Sequence, residues 1–114
     1  MRLYLPNAEI LGRNKTLIEM IKKQKNEKRW YCAICASPYE VFEQNGILEG
    51  EVGTGYPGYH ELKNKSKINE RVVVSNKCIT SQGPATALEF GYALCEVLFG
   101  KEKKEQLQKD MIFK

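Results

Sequence analysis

The sequence predicts an α/β fold, on three observations. A short apolar run, Trp30 to Ile34, passes directly into a turn and a Pro-primed helix. Two β-rich runs, Arg71-Val-Val-Val-Ser75 and Lys77-Cys-Ile-Thr80, feed a long amphipathic helix opened by Pro84. An earlier segment places Leu17, Ile18 and Ile21 on one face of a helix that would cover a sheet. Strands interleaved with helices at this spacing call for a layered sheet with helices packed on it.

In chain order, Asn14 supplies a side-chain acceptor for the first turn of a helix that ends near Lys25, in a charged loop before Arg29. Trp30 to Ile34 reads as a strand buried on both faces. Pro38 sits in the first turn of the next helix, which Asn45-Gly46 closes. Glu51 to Pro57 is extended and punctuated by glycine. Gly58 to Glu70 is a polar loop excursion with a short helix expected around His60 to Lys63. Asn76 breaks the two β-rich runs and predicts a hairpin or a bulged pair. In the last long helix Ala87, Leu88, Gly91, Leu94, Cys95, Leu98 and Phe99 form one apolar stripe, Gly100 stops it, and Lys101 to Lys114 adds one or two charged turns.

At 114 residues, 42% hydrophobic and 28% charged, the chain fits one compact domain around one core. No run reaches the roughly 20 apolar residues that a membrane helix requires, and Met1 to Pro6 is too short for the apolar part of a signal peptide, so a cytoplasmic location without membrane partner is expected. The net charge of +4 comes from lysines in Lys22 to Arg29 and Lys101 to Lys104, each mixed with acids. Neither run interleaves aromatic residues, so both read as solvated helix ends and nucleic acid is not the expected partner.

Four cysteines lie at positions 32, 35, 78 and 95. Cys32-Ala-Ile-Cys35 matches a C-x-x-C by letter, but Cys32 lies inside the strand run, whereas redox motifs put the first cysteine at the helix start. A zinc site wants a second close pair; Cys78 and Cys95 are far apart and His60 is isolated, so no metal is expected. Cys32, Cys78 and Cys95 read as buried spacers. Cys35 differs because it stands where strand turns into helix, facing the unpaired amides and the positive dipole end of the first helical turn, which favour thiolate over thiol. The competing reading is a small apolar residue at a tight crossing.

The two segments Ala33-Ile-Cys35-Ala-Ser-Pro38 and Ile79-Thr-Ser-Gln-Gly-Pro-Ala-Thr-Ala-Leu-Glu-Phe90 resemble the DJ-one/ThiJ/PfpI superfamily, nearest its Parkinsonism-protein and ThiJ-like branch. Gly55-Tyr-Pro57 and Arg71-Val-Val-Val74 fit the same pattern, so the resemblance runs over nearly the whole chain. It implies a flavodoxin-like α/β sandwich of the class I glutamine amidotransferase type, with Cys35 as nucleophile or as a thiol that oxidises to a sulfinic acid. It also implies cofactor-free glyoxalase or protein deglycase chemistry on a small dicarbonyl or a glycated substrate, or a redox-sensing and holdase role, and a homodimer. The amide of Ala36 would hold an oxyanion. Tyr56 stands where many relatives carry a histidine and could orient a substrate, but a tyrosine is no base at neutral pH. Peptide hydrolysis, as in the PfpI branch, is disfavoured because the histidine following the cysteine there is Ala36 here.

Against that pattern the front of the chain departs. A complete member has roughly two further β-α units, with a glutamate beside the cysteine and a Pro-Gly-Gly turn. Met1 to Asn7 resembles only a trace of that turn, and Glu9, Glu40 and Glu43 are not assigned the missing role. The expectation is an N-terminally truncated domain with an open apolar sheet edge, inactive or completed by another segment.

Overall fold

The computed structural model describes residues 6–60 and 62–114. Two helices, α1 (Pro6–Arg13) and α2 (Lys15–Asn26), precede strand β1 (Tyr31–Ile34). A π-helical turn (Pro38–Phe42) and a 3-10 turn (Glu43–Asn45) follow, then the hairpin β2 (Val72–Ser75) and β3 (Cys78–Ser81). A 3-10 turn (Pro84–Thr86) leads into α3 (Ala87–Phe99), and α4 (Lys101–Asp110) folds back against α3. The sheet runs β1-β3-β2, with β1 parallel to β3 and β2 antiparallel to it. This mixed sheet with helices is the expected flavodoxin-like α/β arrangement.

Local chemistry accounts for the boundaries. The Asn14 side chain accepts the Leu17 amide at 3.0 Å, satisfying one of the otherwise orphaned donors of α2. At the other end of α2, Lys25 Nζ donates to the carbonyls of Ile47 and Glu49, tying the helix to the loop after the 3-10 turn. Asn76 takes φ of 50°, a left-handed value that asparagine tolerates better than most residues, and so allows the tight reversal between β2 and β3. Gly46 closes the 3-10 turn at φ of 73°.

The core is one layer, between α2, the π-turn and one sheet face. Ile18, Tyr31, Ala33, Val41, Phe42, Ile47, Leu48, Leu62 and Cys78 make it, with the Tyr31 and Phe42 rings edge to face at 5.5 Å. Full burial of such side chains stabilises by about 1.5–3 kcal/mol each. On the opposite face α3 lies over β2 and β3 and buries Tyr92.

Several expectations change here. Strand β1 is not buried on both faces: Tyr31 and Ala33 point into the core, whereas Cys32 is exposed and Ile34 half-buried, because α3 packs over β3 and β2. Cys32 is therefore no buried spacer. Cys95 is only half-buried, and Cys78 alone fits that description. The stripe predicted for α3 is largely outward, with Leu88, Leu98 and Phe99 exposed; the residue the helix buries is Tyr92, whose ring meets Phe113 at 4.8 Å. The helix after Cys35 occupies the expected span but with wider and tighter turns in place of regular α geometry. No helix forms at His60 or Leu62–Lys63, α1 was not foreseen, and the tail is a ten-residue helix. Of the segment Met1 to Asn7, residues 1–5 lie outside the described residues, and Pro6 and Asn7 open α1.

Candidate active site at the strand to helix elbow

The end of β1 is fixed by its ladder with β3. The Cys35 amide donates to the Ser81 carbonyl at 3.0 Å, so the chain is still held as a strand when it reaches the thiol. It then turns abruptly, for Cys35 adopts φ of 67°. A left-handed backbone at a residue with a side chain costs on the order of 1–3 kcal/mol and persists only where the surroundings over-determine it. What over-determines it is visible. The Cys35 carbonyl accepts the Tyr56 amide at 2.7 Å, the Ala36 carbonyl accepts the Glu40 amide at 2.9 Å, and buried Pro38 begins the π-turn.

The segment that grips the elbow is itself pinned. Thr54 is fully buried; its amide donates to Thr80 Oγ1 at 2.9 Å and its hydroxyl to the Ile68 carbonyl at 2.7 Å. Gly55 approaches the elbow closely: a Cβ there would lie 3.1 Å from the Cys35 carbonyl oxygen, tighter than ordinary contact, and 3.5 Å from Pro38 Cβ. From the other side α1 presses on the π-turn so closely that a Cβ on Gly12 would fall 2.2 Å from the Glu40 carbonyl oxygen.

Cys35 is half-buried and lines a hollow of about 320 Å³ with Pro6, Asn7, Ala8, Leu11, Ile34, Ala36 and Ser37. The sequence reading named Cys35 and Ala36 of these. It missed the contribution of α1, because nothing in Pro6 to Leu11 announces which layer that helix joins, and it passed over Ser37 although that residue is next but one to the thiol. Tyr56 is brought to the elbow by its backbone only. Its ring lies over Gly83, 3.4 Å from where a Cβ would stand, and lines a separate hollow with Pro57, Arg71, Gln82, Pro84, Ala85 and Thr86.

Of the three carboxylates left unassigned in the sequence, Glu9 lies in the first turn of α1 and the other two are engaged away from the thiol. Glu40 accepts the Tyr59 hydroxyl at 3.1 Å and stands 3.8 Å from His60 Nε2, while the His60 ring stacks on Tyr39 at 4.4 Å. Glu43 accepts the Lys63 amide. Among the described residues the hollow at Cys35 is lined by no carboxylate or imidazole. Of the other thiols, partial desolvation against the sheet raises Cys32 although its side chain reaches solvent, and burial with the Glu51 carboxylate nearby pushes Cys78 up to about 12. No group of metal-ligating side chains occurs among the described residues, and none of their helices is long and apolar enough to cross a membrane.

Comparison with known proteins agrees with this anatomy. A family model described as the DJ-1/PfpI family matches residues 5–97. The chain is 43% identical over 106 residues to Protein DJ-1 homolog B of Arabidopsis thaliana, covering 92% of this chain and 24% of that protein. It is 32% identical over 108 residues to the Glutathione-independent glyoxalase DJR-1.2 of Caenorhabditis elegans, covering 93% and 58%. The solved structure of oxidized Toxoplasma gondii DJ-1 superposes with a TM-score of 0.89 at 36% identity, covering 96% of this chain and 60% of that one. The chain thus spans between about a quarter and three fifths of the length of these relatives. The family model's match over residues 5–97, which include the elbow at Cys35 and the Ser81 carbonyl that holds it, shows that the chain belongs to the DJ-1/PfpI family.

Proposed function

We propose that this chain carries the nucleophilic half of a cofactor-free site acting on small dicarbonyls or their adducts, with Cys35 as the attacking thiol. The observation that carries the reading is the left-handed backbone at Cys35, a strained conformation kept at a residue that lines a hollow. Relatives named as glutathione-independent glyoxalases support the substrate class.

The chemistry would begin with the Cys35 sulfur bonding to the aldehyde carbon of a 2-oxoaldehyde while the carbonyl electron pair moves to oxygen, forming a hemithioacetal. The Ala36 amide is the donor proposed for that oxygen. Transfer of a hydrogen from the former aldehyde carbon to the adjacent carbonyl gives a thioester, and water then releases a 2-hydroxy acid and the thiol. One carbon is oxidised and its neighbour reduced, so no external redox partner is needed. That hydrogen transfer requires a general base, and among the described residues the lining of the hollow offers only Asn7 and Ser37 as polar side chains beside the thiol. With this lining the adduct is expected to form readily and to turn over slowly or not at all, and Tyr56, held at the elbow by its backbone with its ring in the neighbouring hollow, is proposed at most to orient a substrate.

The test separates adduct formation from turnover. Incubated with methylglyoxal, the wild-type protein should show a reversible mass increase mapped to Cys35 and absent in Cys35→Ser. Equal adduct levels on Cys32 or Cys78, or equal consumption of methylglyoxal by wild type and Cys35→Ser in the presence of measurable activity, would remove the nucleophile from the proposal.

A second reading rests on the half-exposed position of Cys35 beside an exposed apolar surface. In it peroxide takes the thiol through sulfenic to sulfinic acid and the protein acts as a redox-responsive holdase, as a homodimer in the cytoplasm. Peroxide labelling of Cys32, Cys78 and Cys95 as fast as Cys35 would sink it.

A further inference from the structure

We infer that the Asn45-Gly46 pair is a self-modification site, where the chain deamidates without an enzyme and thereby releases helix α1 from the elbow. The inference lies outside the proposed chemistry and does not require Cys35 to attack any substrate.

The first ground is the dipeptide. An asparagine before glycine is open to attack on its side-chain carbonyl carbon by the next backbone nitrogen, because glycine puts no side chain in the way and rotates most freely. No other asparagine of the chain precedes glycine. The Gly46 nitrogen bonds to Asn45 Cγ, the Cγ–Nδ2 bond breaks, and ammonia leaves with the proton that Gly46 gives up. Water then opens the cyclic imide on one side or the other, leaving aspartate or isoaspartate at this position. Water is the co-reactant, and nothing is oxidised or reduced. Asn45 is half-buried and Gly46 exposed at the close of the 3-10 turn, so solvent reaches the pair.

The second ground is what the amide holds. Asn45 Nδ2 donates to the Gly12 carbonyl at 3.0 Å and to the Val41 carbonyl at 2.8 Å. The first belongs to the last turn of α1, where helix carbonyls find no partner inside the helix, and the second to the π-turn. Among the described residues no other hydrogen bond joins α1 to the segment from Pro38 to Asn45. An aspartate in this place has only oxygens to offer. At neutral pH it carries no hydrogen for either carbonyl and sets its charge against both. Isoaspartate displaces the side group and lengthens the backbone by a methylene at the same turn. Either product removes the link.

The third ground is where the link leads. Helix α1 supplies Pro6, Asn7, Ala8 and Leu11 to the wall of the hollow at Cys35, so its release widens access to the thiol. The fold also sets the pace. Both hydrogen bonds hold Nδ2 in place, and the Gly46 amide is occupied by the Glu43 carbonyl at 3.2 Å. Ring closure therefore waits for the moments when the link opens, and once it has happened the link cannot form again. Opening permits the modification and the modification makes the opening permanent, which is a one-way chemical clock on access to Cys35.

Ageing the wild-type protein at neutral pH tests this, with peptide mass mapping of the amide-to-acid conversion and of iodoacetamide alkylation at each cysteine. Conversion should concentrate at Asn45 and run more slowly in folded than in urea-unfolded protein. The alkylation rate of Cys35 should rise with the converted fraction, to about tenfold at completion, the factor lost from a local opening equilibrium when a buried carbonyl is orphaned. Cys95 on α3 should keep its rate, which separates local release from unfolding. Freshly prepared Asn45→Asp should start at the fast Cys35 rate; should that variant not fold, the aged wild type gives the same answer. Asn45→Gln, which keeps an amide but must close a larger ring, should show no rise with age. Conversion at Asn45 no faster than at the exposed Asn64, or equally fast in folded and unfolded protein, would overturn the inference. So would full conversion that leaves Cys35 alkylation unchanged.

Discussion

Replacing Thr80 by valine tests how the elbow is held, because valine keeps the shape and removes one acceptor. Thr80 and Thr54 are both fully buried, and Thr80 Oγ1 receives the Thr54 amide at 2.9 Å. In Thr80→Val that amide has no acceptor and no water to turn to, a loss of about 1–3 kcal/mol, with no cavity to add to it. At about 4–8 °C per kcal/mol for a domain near this size, the melting temperature should fall by roughly 4–24 °C. The loss should be local before it is global. Thr54 is two residues from Tyr56, whose amide clamps the Cys35 carbonyl at 2.7 Å, so native-state exchange at Thr54 and Tyr56 should rise more than exchange in α2. Calorimetry together with residue-resolved exchange decides it. A Thr80→Val protein that melts within about 1 °C of wild type, less than the smallest loss expected for an orphaned buried amide, with Tyr56 exchange unchanged, would refute the claim that this hydroxyl secures the elbow.

Other outcomes follow from the same geometry. Gly12→Ala should destabilise despite a gain in helix propensity of up to about 1 kcal/mol, because its Cβ meets the Glu40 carbonyl 2.2 Å away; a melting temperature at or above wild type would contradict the close packing of α1. The Cys78 thiol, raised to about 12, sits above its unfolded value, so the stability it contributes is complete below pH about 8.5 and is lost as pH rises toward 12. Tyr31, also raised by burial, adds a loss of the same sign at still higher pH. Urea denaturation of wild type and Cys78→Ala from pH 7 to 11 should show the shallower alkaline decline in the variant. Methylglyoxal should leave its adduct on wild type and not on Cys35→Ser, read by intact mass.

Much of this architecture was legible because it rests on local rules. Asn14 caps α2, Asn76 turns the hairpin, Gly46 ends the turn after the elbow, and the apolar run ending at Cys35 is a strand that stops at the thiol. The left-handed backbone at Cys35 could not be read locally, since it is imposed by Tyr56 and Ser81 from distant parts of the chain. The same limit explains the errors over Cys32 and the α3 stripe. Periodicity identifies an apolar face, but whether Leu88, Leu98 and Phe99 are covered depends on which layers are present to cover them. Helix α1 carries too few residues for a persuasive period, and its place at the hollow is fixed by the missing Cβ of Gly12.

The positive φ of Cys35 also bears on how such a site is lost over evolutionary time. Glycine at that position would relieve the backbone, stabilising the fold by up to a few kcal/mol, while deleting the sulfur. Drift under selection for folding alone would thus favour erasing the thiol. A cysteine retained there in descendants of this chain would be a sign that something other than stability keeps it.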